Sequence, residues 1–353
     1  MKKKIIFSTY DDIHNPYYAG GGAYAIKEIT DRISSSFDVQ VITGNYPSAK
    51  NMKKDGVVYK RIGPASVGPK LGQIIFHFLL PFYVKKEQFD LWAESFTPPF
   101  STSCLQLFTN KPVVGLVHML ASEDMERKYK LPFHLIEDQG LKTYKYFIVL
   151  TDAFKKKIQR VNKQAEMFLI PNGVKVLPIN KTKPNKEEYI LYLGRLEFDQ
   201  KGIDLLLDGF HHIADKTHAK LVIAGSGLER DEQLIKDKIN KYQLQSRVIL
   251  AGRVAGKQKD ELFKNCSLVV MPSRFETFGM VALEAMSYGK PMVSFDIEGF
   301  QWIPNKCILK VRSFDVKRLG DSINHLLHDQ ALRDKMSRAS INEIKKYSWD
   351  IIG

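Results

Sequence analysis

The stretch from Phe263 to Pro291, FKNCSLVVMPSRFETFGMVALEAMSYGKP, sets the frame for the rest of the chain. Leu268 to Met271 is a short apolar run that predicts a buried parallel strand, and Gly279 to Tyr288 predicts a helix closed by Gly289 and Pro291. A polar turn separates them. A turn that opens a helix presents unpaired backbone N–H groups, here near Thr277, Phe278, Gly279 and Met280, and these act with the helix dipole to attract phosphate. Glu276 lies in the turn and Glu284 in the helix. If residue 276 were helical too, eight positions would bring both carboxylates within about 40° of one azimuth, so both would reach one cleft. The same residues also fit a solvated helix acid and an N-terminal acid favoured by the dipole. Spacing alone leaves both open.

The run Pro272-Ser273, Glu276, Phe278-Gly279, Glu284-Ala285-Met286, Gly289 and Pro291 resembles the E-x7-E signature of retaining glycosyltransferases of family 4. That resemblance implies an α/β protein of the GT-B fold, with two Rossmann-like parallel-sheet domains facing across a cleft. It implies that Glu276 faces the donor sugar. Thr277, Phe278 and Gly279 would touch sugar and phosphate through their backbone, and Glu284 would hold the ribose hydroxyls.

The chain has 353 residues, 44% of them hydrophobic and 26% charged, which fits two globular domains with a core each. No run of 18 uncharged apolar residues occurs, so a membrane-spanning helix is not expected. Acidic residues by Asp11 interrupt any signal-peptide core after the basic start, which reads instead as a first strand. Cys104, Cys266 and Cys307 are odd in number and form neither a C-x-x-C nor a zinc pattern. A reducing cytoplasm is the expected location. Net charge is +14, shared by both halves of the chain. Such a balance suits nucleic acid, an anionic membrane or a phosphorylated substrate, and equally a soluble protein from a cell with basic proteins.

In the first half, Ile5 to Ser8, a helical pattern over Gly22 to Ser36, and Val39 to Thr43 make a βαβ unit and hence a parallel sheet. Gly20 to Ala25 formally satisfies G-x-G-x-x-A. The glycines come about a dozen residues after the strand, and no acid ends the second strand, which argues against a dinucleotide site. The resemblance accounts for them as a glycine-rich loop, with Gly21 and Gly22 against the donor phosphates. Gly72 to Val84 predicts a buried helix too short to span a bilayer. Strands are expected at Leu91 to Glu94, Pro112 to His118 and Phe147 to Thr151. His118 then sits at a C-terminal strand edge, where ligands bind in open α/β sheets. The resemblance implies that it faces the donor sugar. Leu169 to Val174 is similar to the family's P-N-G-V segment, which ends the first domain.

The second half opens on Val176 to Lys186, which reads as a linker. Ile190 to Leu193 starts a new sheet, followed by Gly194-Arg195-Leu196, Lys201-Gly202 and a helix with Ile203, Leu206, Leu207, Phe210 and Ile213 on one face. The resemblance makes Arg195 and Lys201 the diphosphate site, two cations that stabilise a departing anion where other enzymes use a metal. No D-x-D pair follows an apolar strand, so neither a metal nor another cofactor is expected. Gly225 follows the next strand and is a donor-binding candidate, and Arg253 and Val254 follow the one after it, where by resemblance the turn lies beside the nucleobase. Only Gly299 stands where many members carry two adjacent glycines. Residues 315 to 347 predict helices with Leu319, Ile323, Leu326 and Leu327 inward, and the end of the chain is similar to the family at Y-S-W.

The resemblance thus implies an acceptor domain over 1–175, a linker over 176–186, a donor domain over 187–338, and a segment over 339–353 that returns to the first domain. The expected activity is transfer of a sugar from a UDP- or GDP-linked donor to a hydroxyl of a glycan or lipid-linked acceptor, with retention and without metal, in polysaccharide or cell-envelope synthesis. Basic and apolar residues interleave over Lys50 to Lys86 and Arg127 to Phe133, which suggests work at an anionic membrane surface. A sugar phosphorylase or nucleotide-sugar epimerase can share the fold. A non-catalytic basic binding protein is the third alternative, although no nucleic-acid motif is present and nucleic acid is not an expected partner.

Overall fold

The computed structural model describes residues 2–15, 20–177 and 188–353. The chain divides into two compact units, Met1–Gly173 with Ile352–Gly353, and Val174–Ile351. Most of the expected linker, from residue 178 on, lies outside the described residues. Of the segment 339–353, residues 339–351 group with the second unit and Ile352–Gly353 with the first.

In the first unit the strands are β1 (Lys4–Ser8), β2 (Asp38–Gly44), β3 (Met52–Lys54), β4 (Val57–Ile62), β5 (Leu91–Ser95), β6 (Val113–Val117), β7 (Tyr146–Val149) and β8 (Glu166–Leu169). The helices are α1 (Gly21–Ile33), α2 (Gly68–Lys86), α3 (Ser122–Tyr129), α4 (Phe133–Lys142) and α5 (Asp152–Val161). The sheet runs β3-β4-β2-β1-β5-β6-β7-β8. Every pairing is parallel except the β3–β4 hairpin at one edge. Burial on both faces fits the near-continuous apolar runs of the inner strands β1 and β6, whereas the edge strand β8 is largely exposed. Ile26 of α1 packs with Phe7, Val39, Val41, Val57 and Leu116 in the core.

The second unit has strands β9 (Tyr189–Leu193), β10 (Lys220–Ala224), β11 (Val248–Gly252), β12 (Leu268–Met271), β13 (Met292–Phe295) and β14 (Ile308–Val311). Its helices are α6 (Ile203–Ile213), α7 (Glu229–Lys241), α8 (Gly256–Asn265), α9 (Met280–Ser287), α10 (Val316–His328), α11 (Gln330–Ile344) and α12 (Trp349–Ile352). The strand order is β11-β10-β9-β12-β13-β14, all parallel. The five apolar residues expected on one face of α6 are fully buried, and so are Leu319, Ile323 and Leu326 of α10. Chain order reverses between β9 and β12. In an open α/β sheet a ligand binds at the carboxyl ends of the strands flanking such a reversal.

Two local readings are corrected. Gly21 and Gly22 form the first turn of α1 and are not part of a loop, with Gly20 as the capping residue. Helix α2 is longer than expected and only half covered. Phe76, His77, Leu80 and Val84 are buried, whereas Phe78 and Phe82 point outward.

Candidate active site

In the second unit, the loop after β9 and the turn after β12 meet at the order reversal. Gly202 caps α6 with a φ of 64°, and a side chain there would collide with the Pro272 carbonyl, so only glycine lets the two segments close. The consequence is a direct contact. Lys201 Nζ lies 2.6 Å from Glu276 Oε1, and Ser273 Oγ donates to the same oxygen at 2.9 Å. Both charged side chains are largely buried. Beneath them, Tyr192 donates to the Arg195 carbonyl at 2.6 Å. Burial, with Glu276 nearby, holds the Tyr192 hydroxyl well above its usual range.

Arg195 is placed differently from Lys201. More than half exposed, it donates to Gln200 Oε1 at 2.6 Å and lies 3.3 Å from Glu197. It shares the loop of Lys201 but pairs within that loop. Arg274, which the sequence argument passed over, ties the two segments together. Its guanidinium grips Asp204 of α6 at 2.8 and 2.6 Å and also donates to the Phe198 carbonyl, while its backbone N–H donates to Gln200 O at 2.8 Å.

Glu284 does not share an azimuth with Glu276. Gly279 takes a φ of 79°, so α9 begins only at Met280 and no helical relation extends back to residue 276. Glu284 faces its own cation instead, Lys259 Nζ of α8, at 2.8 Å. The ring of Phe278 is buried and stacked on Trp302 at 4.5 Å. The Trp302 indole N–H donates to the Phe278 carbonyl at 2.8 Å, which leaves the backbone N–H groups of the turn as its ligand-facing part. The Gly299 backbone lies against the Glu276 carbonyl. Lys259, Arg274 and Trp302 each lie far in sequence from their partners. The P-S-R-x-E context of Arg274 was the one available hint.

The remaining candidates of this unit lie at the carboxyl ends of neighbouring strands. Gly225 N–H donates to Gly252 O at 2.7 Å, which joins the turns after β10 and β11. Arg253 is exposed in the turn after β11. Val254 lines a recess of about 400 Å³ with Ala251, Lys257, Gln258, Glu261 and Leu262.

In the first unit, His118 follows β6 directly. Its Nδ1 lies 2.9 Å from Ser95 Oγ at the end of β5, and Gly22 of α1 approaches the ring so closely that an added Cβ would sit 3.1 Å from Nδ1. Burial pushes the imidazole down to about 4, so it is neutral at physiological pH. The β1/β5 boundary is the order reversal of this sheet, which again puts a polar cluster where the topology leaves room for a ligand.

These features define a GT-B glycosyltransferase fold, and solved structures bear this out over nearly the whole chain. Sucrose-phosphate synthase from Thermosynechococcus elongatus superposes with a TM-score of 0.84 at 20% identity, covering 99% of this chain and 96% of that one. Anabaena HepE in complex with UDP-glucose gives 0.78 at 16%, covering 99% and 97%. Residues 175–343, nearly the whole of the second unit, match the family model for glycosyl transferases group 1. An uncharacterized glycosyltransferase from Methanocaldococcus jannaschii is 35% identical over 169 residues, which is 47% of this chain and 43% of that protein. The chain spans half or less of the length of the curated relatives it matches first.

Proposed function

We propose that the protein is a retaining glycosyltransferase that moves a sugar from a UDP- or GDP-linked donor to a hydroxyl of a glycan or lipid-linked acceptor without a metal ion. The observation that carries this is the Lys201–Glu276 pair at the order reversal of a group 1 domain. Lys201 and the N–H groups opening α9 supply positive potential for a diphosphate, and Glu276 supplies an acceptor for donor-sugar hydroxyls. Arg195, on the same loop, is the second cation for the leaving group. Glu284, steadied by Lys259, takes the ribose, with Gly225, Arg253 and Val254 toward the phosphates and base.

In the reaction the bond from the anomeric carbon to the diphosphate oxygen breaks, and the acceptor oxygen bonds to that carbon on the same face. The acceptor's proton passes to the leaving diphosphate oxygen. His118 remains neutral and holds the sugar through Nε2–H, with Ser95 bonded to the other ring nitrogen and Gly22 close against the ring; Gly21, beside it in the first turn of α1, faces the donor phosphates. The HepE complex with UDP-glucose supports a nucleotide-sugar donor by fold likeness. Synthesis of an envelope polysaccharide or glycolipid at the cytoplasmic face is the setting we assign.

Incubation with a panel of nucleotide sugars, with and without glycan or lipid-linked acceptors, followed by NMR of the product, tests the reading. An axial anomer formed from an axial donor supports it. Sugar 1-phosphate released by inorganic phosphate, or an epimerised nucleotide sugar formed without acceptor, would replace it.

A further inference from the structure

Helix α2 of the first unit carries two apolar faces, and the unit covers only one. Leu71, Phe78 and Phe82 are 49%, 66% and 70% exposed. At 100° per residue they fall within about 40° of each other, opposite the buried Phe76, Leu80 and Val84. The outward face continues past the helix. Phe78 lies 6.3 Å from Phe100, Phe100 stacks 6.4 Å from Phe133 at the start of α4, and Phe133 lies 6.1 Å from Tyr129 at the end of α3. On the other flank, Lys85 Nζ sits 5.2 Å above the ring of Phe108. One aromatic surface therefore joins α2 to the α3–α4 junction.

The charge on this helix has one sign. Residues 68–86 contain Lys70, Lys85 and Lys86 and no acid, within a chain of net charge +14. No helix of the described residues is long and apolar enough to cross a membrane. Outward aromatics beside lysines on a helix lying flat is the pattern that settles into the headgroup region of a bilayer. A second copy of the chain would set like charges against each other, since the three lysines would face their own counterparts.

We propose that the outer face of α2, with the Phe100–Phe133–Tyr129 extension, docks the first unit on an anionic lipid bilayer. The inference deepens the lipid-linked reading of the acceptor and rests on it for its purpose, although the docking itself needs no substrate. Phe78 and Phe82 enter the interface while Lys70, Lys85 and Lys86 meet the headgroups. Each lysine near such a surface contributes about a fivefold factor in partitioning, so three with two aromatics suffice for reversible attachment.

Vesicle sedimentation tests this with the full chain. Vesicles of equal phosphatidylglycerol and phosphatidylcholine at low salt should carry the protein down, and phosphatidylcholine vesicles should not. F78S/F82S and, separately, K85E/K86E should each lower partitioning at least tenfold with an unchanged melting temperature, as expected for exposed sites. F82W should gain a blue-shifted emission on vesicle addition that the parent lacks. Equal partitioning of parent and both variants, or a parent that stays in the supernatant, overturns the proposal. So does a concentration-dependent dimer that F78S/F82S dissolves, which would give this face to a second copy. Transfer to a soluble acceptor is assayed without vesicles. Intact transfer with no vesicle binding overturns docking alone, whereas vesicle binding without transfer to any acceptor overturns the glycosyltransferase reading alone.

Discussion

Arg274 holds Asp204 through two side-by-side hydrogen bonds of 2.8 and 2.6 Å, and the same guanidinium reaches the Phe198 carbonyl in the loop that carries Lys201. Asp204 keeps the guanidinium above its usual range. A planar fork can make all three contacts at once, and an ammonium cannot. R274K should therefore loosen the Lys201 loop against the β12 turn while keeping the charge. We expect kcat/KM to fall about tenfold, with a stability loss of about 1 kcal/mol for this partly exposed pair. Unchanged kinetics in R274K would show that the loop needs no such staple.

The Lys201–Glu276 contact gives opposite signs to two substitutions. K201A should weaken nucleoside diphosphate binding by about 1.5–3 kcal/mol, because a charge-assisted contact to the phosphate is lost. E276A leaves Lys201 without its carboxylate, so diphosphate affinity should hold or rise while turnover falls. Calorimetry on both variants decides it. A parallel loss of affinity in both would mean that Glu276 acts by holding Lys201 in place.

Glu284 and Lys259 form a half-buried pair 2.8 Å apart. If Glu284 accepts ribose hydroxyls and Lys259 only aims it, K259A should weaken UDP or GDP by about 1 kcal/mol and leave inorganic diphosphate unaffected. E284A should do the same more strongly. Equal effects on both ligands would move Lys259 into the phosphate site.

Transfer should also proceed in excess chelator, because Lys201 and Arg195 carry the charge that a metal would otherwise supply. Full loss of turnover in chelator, restored only by magnesium or manganese, would assign a metal to the reaction.

The second unit was legible because most of its strands are short apolar runs and helices α6 and α10 each carry one clean apolar face. Glu276 and Lys201 announced themselves by motif. Their supports did not, since Arg274 meets Asp204 across 70 residues and only the sheet order brings them together. Glu276 and Glu284 share no helical azimuth because Gly279, with a φ of 79°, breaks the helix between the two acids. In the first unit the β3–β4 hairpin went unread although Asp55-Gly56, both at positive φ, carries the strongest short hairpin signal. Helix α2 reads as core in the sequence because composition cannot say which of two apolar faces the fold covers.

The first unit also holds three titratable groups, the buried His77 and Glu94 and the partly buried His118, whose effects on stability oppose each other. Burial pushes His77 and His118 down to about 4, and burial raises Glu94 to about 7 despite hydrogen bonds from Tyr144 and from Ser103 N–H. Ser103 links two of them, since its N–H donates to Glu94 Oε1 at 2.6 Å and its hydroxyl lies 2.8 Å from His77 Nδ1. As pH falls from 6.5 toward 4 the unfolded chain binds protons that the native histidines refuse, so their stability is lost on acidification. Glu94 works the other way, because the native state prefers it protonated and loses stability as pH rises from 4.5 through about 7. E94Q mimics the protonated form and removes this opposing slope. Relative to the parent it should gain stability between pH 5 and pH 8 by up to about 3 kcal/mol and then lose it more steeply in acid. Denaturant melts of parent and E94Q at pH 5, 6.5 and 8 measure the difference directly. A gap that stays constant across that range would mean that Glu94 is ionised in the native state throughout, held by Tyr144 and Ser103 against the cost of its burial.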